Sequence, residues 1–178
     1  MVFTKNLVGT TNVNQSNDTK IAFYLNLLEP LIVNDVNLEI ALRMNVLDLL
    51  VGLLHHQDTN SVGKPLRVFI KFALRCLTSA IRTQNSVNMF YDLGTGVSKV
   101  FEILEVVDDQ ELVANSCKII RICLRDDIVY DKLAIQFPKL TTMILEKMAK
   151  WNQSTPVIQE SINALRNYAR KPDYLRHI

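Results

Sequence analysis

Three short segments of this chain align without gaps: Ala73-Leu74-Arg75-Cys76-Leu77, Ile119-Ile120-Arg121-Ile122-Cys123 and Ala164-Leu165-Arg166-Asn167-Tyr168. Leu74, Ile120 and Leu165 stand 46 and 45 residues apart. A second series, Val46/Leu49/Leu50, Val97/Val100/Phe101 and Leu140/Met143/Ile144, recurs at 51 and 43 residues, so loops absorb the difference. A period of this length leaves the chain few ways to fold. One unit cannot bury its apolar stripe alone, whereas about three stacked units bury a continuous core.

Strand alternation is never sustained, and apolar residues recur at three and four almost throughout. From Asp18, the spacing of Ile21, Ala22, Leu25 and Leu28 predicts a helix that Pro30 closes. A short helix follows over Val36 to Met44, and Asn45 caps the next. Pro65 begins a long helix to Arg82, and Ser86 opens a short one that stops at Gly94, a residue suited to a left-handed C-terminal cap. Val97, Val100, Phe101 and Leu104 mark another. Asp108 with Glu111 has capping-box spacing ahead of a helix to about Leu124. Asp127 caps a short helix and Pro138 starts a medium one. Thr155-Pro156 opens a final long helix that ends near Lys171, before Pro172. The order short, medium, long thus occurs three times. The expected core is Leu49, Leu50, Leu53, Leu74, Leu77, Val100, Phe101, Leu104, Ile120, Cys123, Ile144 and Leu165.

Composition narrows the class. At 178 residues the chain suits one domain. It is 48% apolar, too much for a disordered chain. Three cysteines, Cys76, Cys117 and Cys123, are too few and too odd for a disulfide framework, which points to an intracellular, reducing compartment. A net charge of +2 gives no global field toward nucleic acid or membrane. Residues 1–17 read as a polar lead-in with no signal peptide, and no apolar run is long enough to insert into a membrane.

The segments NMFYDLGTGVSKVFEIL and QELVANSCKIIRICL together resemble one armadillo repeat. NLEIALRMNVLDLLVGLL with PLRVFIKFALRCLTSAI, and YDKLAIQFPKLTTMILEKM with PVIQESINALRNYA, resemble two more. Three helices per unit and Gly94 favour armadillo over HEAT-type repeats. The resemblance implies an all-α fold, a right-handed α-solenoid of armadillo-like three-helix repeats. It places a single helical repeat domain at 18–178, with repeats at approximately 36–82, 86–125 and 127–171. The helix at 18–29 would be the third helix of an incomplete leading unit. Armadillo-like proteins serve in the cytoplasm, the nucleus and the cilium.

The chemistry-bearing residues support no enzyme. Adjacent helical residues such as His55 and His56 point about 100° apart and make a poor metal pair. Cys117 and Cys123 lie six apart on one helix, and Cys123 falls at a core position. Gly94-Thr95-Gly96 is too short for a phosphate loop, and the pairs Asp108-Asp109 and Asp126-Asp127 sit where helix caps are needed. No catalytic residue, cofactor or metal is expected.

One surface feature is distinctive. No acidic residue occurs between Asp58 and Asp92, while Lys64, Arg67, Lys71, Arg75 and Arg82 fall along one stripe of the long helix. Lys118, Arg121 and Arg125 repeat the idea, as do Arg166 and Arg170. Arg75, Arg121 and Arg166 are register-equivalent, so stacking would align them. A solvated face is the ordinary reading of such a stripe; the alternative is a docking surface for an acidic segment or helix. Peptide-binding members of the armadillo family carry an Asn ladder one residue after this Arg. Here that position is Cys76, Ile122 and Asn167, and the family's Trp position is Phe72, Lys118 and Asn163. The departure disfavours nuclear-localisation-signal binding.

The expected function is therefore a non-enzymatic scaffold or adaptor, a subunit of a larger assembly, that binds a partner protein through the surface of its third helices. The alternative is a cargo or peptide-recognition module taking an extended acidic or mixed segment in the concave groove. The absence of interleaved aromatics argues against nucleic acid. Both ends of the array look incomplete, so a neighbour subunit or self-association is expected to cover at least one.

Overall fold

A computed structural model describes residues 5–56 and 68–171, with side chains described from residue 17 onward. Among these residues the fold is all-α, with ten helices and no strand. They are α1 (Lys5–Ile32), α2 (Asp35–Arg43), α3 (Val46–His55), α4 (Phe69–Ala80), α5 (Gln84–Asp92), α6 (Gly96–Val106), α7 (Gln110–Cys123), α8 (Asp127–Gln136), α9 (Leu140–Lys150) and α10 (Thr155–Tyr168). The expected helix start at Pro65 lies outside the described residues.

The first helix differs from expectation at both ends. It begins at Lys5 rather than Asp18, so residues 5–17 of the polar lead-in are helical backbone. Its Asn, Gln, Ser and Thr residues cost only a few tenths of a kcal/mol each relative to good helix formers, and no proline interrupts them. Pro30 does not close the helix, which runs on to Ile32. In the last turn proline sacrifices one backbone hydrogen bond, and little helix remains for it to disrupt.

Helix starts elsewhere sit within a few residues of the sequence reading. Asp109, not Asp108, caps α7 by accepting from the N–H groups of Glu111 and Leu112 at 3.0 and 3.2 Å. Asp126, not Asp127, caps α8 through the N–H of Val129 at 2.8 Å. In α5 the cap is Thr83, and Ser86 reaches back to it in a reciprocal capping box. Asn45 takes a left-handed φ of 57° at the start of α3 and makes no side-chain cap. Gly94 has the predicted left-handed conformation, φ 70°, after α5.

The long helices pack in chain order: α4 against α1, α7 against α4, and α10 against α7. The medium helices fill behind them, with α3 on α4 and α6, α6 on α7, and α9 on α10. The core lies along these seams. Leu50, Leu74, Leu77, Val100, Leu104, Cys123 and Ile144 are fully buried, with Phe101 and Ile120 nearly so. Each such side chain contributes roughly 1.5–3 kcal/mol on burial. Three expected core residues depart. Leu49 is 57% exposed, and Leu53 and Leu165 are half-buried. In α3 the inward face is instead Val46, Leu47, Leu50, Val51 and Leu54, and in α10 it is Val157, Ala164 and Tyr168. Gly96 permits the closest approach: a Cβ there would stand 2.5 Å from Phe90 Cε2 and 3.0 Å from Val51 Cγ2.

Candidate functional site

Two connected grooves run beside α4 and α7. The first, about 570 Å³, is bordered by Glu29 of α1, by Arg75, Thr78 and Ser79 of α4, by Glu111 and Lys118 of α7, and by Ser154 and Thr155 at the start of α10. The second, about 380 Å³, is lined by Thr78, Ser79, Arg82, Thr83 and Gln84 from one side and by Lys118, Arg121 and Arg125 from the other. Thr78, Ser79 and Lys118 belong to both. Side chains three residues apart share a helix face, which places Lys118 and Arg121 along one side of α7, and Arg125 follows in the turn after it.

Most of the predicted basic residues that the structure describes are engaged by acids of other helices. Lys71 reaches forward to Asp109 at 2.7 Å and Glu111 at 3.7 Å. Arg75 reaches back to Glu29 at 2.6 Å, and its guanidinium stands 5.7 Å from the centre of the half-buried Phe72 ring. Arg121 reaches forward to Glu160 at 2.7 Å. Arg170 reaches back to Asp127 at 2.8 Å and to the carbonyls of Leu124 and Arg125 at 3.3 and 3.4 Å. Arg82, on the stripe, does likewise, donating to Val33 O and, at 2.7 Å, to Asp35. Register-equivalent Arg75 and Arg121 thus point to opposite neighbours.

The amide of Asn167 donates to Arg121 O at 2.9 Å, so it is spent between layers. At the equivalent position the Cys76 thiol donates to Leu25 O at 3.2 Å. Asn163 is half-buried on α10. Lys118, half-buried, and Arg125 and Arg166, both exposed, make no ion pair among the described residues. Lys64 and Arg67 lie outside the described residues.

Ionisation follows these contacts. The hydrogen bond to Asp109 outweighs desolvation and raises the Lys71 pKa above its usual value. Burial opposes ionisation of Asp109, but the bonds from Lys71 and from the Leu112 and Glu111 N–H groups together hold its carboxyl below the usual range. Burial pushes the thiols of Cys76 and Cys123 up to about 12 and that of Cys117 to about 11, which makes all three poor nucleophiles. Burial, then the charge of Lys150, lowers the pKa of Lys147, whose ammonium bonds Glu105 O and Val107 O at the end of α6.

The acids opposite the basic stripe escape sequence reasoning because they sit on other helices; only the stacking of α4 on α1 and α7 brings them together. Arg82 carried a signal, as the last member of the stripe.

The fold defines an all-α array of helices stacked in chain order, with a basic groove between two long helices. No protein-family model and no curated protein matches the chain. It is similar to the crystal structure of an engineered protein from the Northeast Structural Genomics Consortium, at 20% identity over 81% of this chain and a TM-score of 0.65. The chain spans 55% of the length of that structure. At this identity the likeness concerns the fold alone. Among the described residues no helix is long and apolar enough to cross a membrane.

Proposed function

We propose that the chain is a right-handed, armadillo-type α-solenoid that works as a non-enzymatic scaffold or adaptor in an intracellular assembly. It docks an acidic segment or helix of a partner protein against α4 and α7. The armadillo reading is supported by the mid-forties spacing together with the chain-order packing of α1, α4, α7 and α10.

The observation that carries the docking proposal is the pair Lys118 and Arg125. They line the α4–α7 groove seven residues apart, Lys118 on α7 and Arg125 in the turn just after it, with no ion pair among the described residues. Arg82 and Arg121 line the same groove with their charges met by Asp35 and Glu160, and Asp126 lines it as well. Two unpaired cations in a polar concavity favour an anionic side chain that supplies the missing partner. The engaged residues Lys71, Arg75, Arg121 and Arg170 hold the layers together and so position the groove.

The test is affinity purification with cross-linking mass spectrometry on wild type and on the double variant Lys118→Glu/Arg125→Glu. Cross-links from an acidic partner segment to α4 and α7, lost in the double variant with its melting temperature unchanged, are expected. Cross-links confined to other faces, or capture unaffected by the double variant, would remove the groove from the mechanism.

A further inference from the structure

The first layer of the array has an uncovered apolar face. On α1, Tyr24, Leu27 and Leu31 are 67, 49 and 57% exposed. Their spacing puts them on one stripe, on the far side from Ala22, Leu25 and Ile32, which are buried against the rest of the chain. On α2 and at its C-cap, Val36, Ile40 and Met44 recur every fourth residue and are 66, 51 and 77% exposed, opposite the buried Leu38 and Leu42. Val33, in the turn between the two helices, is itself 55% exposed. Phe23 packs edge-on to Tyr24 with ring centres 5.8 Å apart, giving the face an aromatic centre of the sort that anchors interfaces.

We infer that this face is a homodimer interface, in which the α1–α2 end of one copy meets the same end of a second copy about a two-fold axis. Size is the first argument. A stable interface buries roughly 800 Å² on each partner. The exposed apolar side chains of the face, at roughly 100 Å² apiece, supply an area of that order.

Charge is the second argument. Glu39 pairs with Arg43 at 3.7 Å on α2 itself, and Asp35 is held by Arg82. These charges therefore do not select a strongly acidic or basic partner.

The far end of the array is the third argument, because it decides the geometry. The outward face of α10 carries Gln159, Ile162 and Arg166 and is mostly polar. Head-to-tail stacking would bury the Arg166 guanidinium against an apolar face, at a desolvation cost without a partner. Head-to-head contact avoids this and closes at two copies.

The test is sedimentation velocity on the full chain from low micromolar to several hundred micromolar, with Tyr24→Glu, Ile40→Glu and, as control, Gln159→Glu. A monomer–dimer equilibrium that stops at the dimer is expected. Tyr24→Glu and Ile40→Glu should each weaken it by roughly tenfold or more with melting temperature unchanged; Gln159→Glu should not. A monomer at every concentration, a dimer indifferent to both charged variants, or growth into longer oligomers would each overturn the proposal.

Discussion

Arg121 Nε lies 2.7 Å from Glu160 Oε2, and this ion pair joins α7 to α10 with only 15 and 17% of the two side chains exposed. Removing one partner strands the other in a largely desolvated seam. Arg121→Ala is expected to cost on the order of 2 kcal/mol in urea denaturation. Replacing both partners, Arg121→Met with Glu160→Leu, should recover most of the loss, because two apolar groups leave no orphan charge. A double variant destabilised by the sum of the two single-variant losses would show that the pair is not coupled.

The pair Lys71–Asp109 predicts a pH window. The Asp109 carboxyl is depressed, so its contribution is present above the unfolded carboxylate pKa, about 3.9, and is lost as pH falls through the folded value. Lys71 is raised, so its contribution is full below about 10.4 and fades as pH rises through the folded value. Both side chains are about a third exposed, which limits the pair to below about 1 kcal/mol. Asp109→Asn keeps an oxygen for capping α7 but loses the charge. Its stability should fall less steeply on acidification than that of wild type, whereas Asp109→Ala should lose a further ~1 kcal/mol for the cap.

The glycines separate three effects. Gly96→Ala brings a methyl within 2.5 Å of Phe90 and should cost about 1–3 kcal/mol. Gly94→Ala keeps open space but forces a residue with a Cβ to φ 70°, at about 1 kcal/mol. Gly52→Ala, inside α3 with nothing near its Cβ, should stabilise by about 0.5–1 kcal/mol. Thermal melts of the three variants check the order.

The register of α3 can be tested by neighbours. Leu50→Ala empties a fully buried site and should cost about 2–5 kcal/mol. Leu49→Ala, one residue earlier and outward, should fall within about 0.5 kcal/mol of wild type. Comparable losses would mean that α3 is rotated.

Helix type and approximate extent were legible in the chain because periodicity is local. The face of α3 was not. With apolar residues at 46, 47, 49, 50, 51, 53 and 54, the segment offers an apolar stripe in almost any direction, and only contact with α4 and α6 selects one. The caps slipped by one where two aspartates stand side by side, since either carboxylate suits the role until the backbone turns. The basic residues of the groove were legible as a stripe. That Lys71, Arg75, Arg121 and Arg170 are consumed by Asp109, Glu29, Glu160 and Asp127 was not, because those acids lie far off in sequence.

The ion pairs run in both directions along the stack: Lys71 and Arg121 clasp the following layer and Arg75 the preceding one, while Arg82 and Arg170 clasp the short helix of their own unit. No cut between layers is therefore clean. A truncation before α10 strips Glu160 from Arg121, and one before α4 strips Arg75 from Glu29, so shortened fragments of this chain carry a raw charged edge wherever the blade falls.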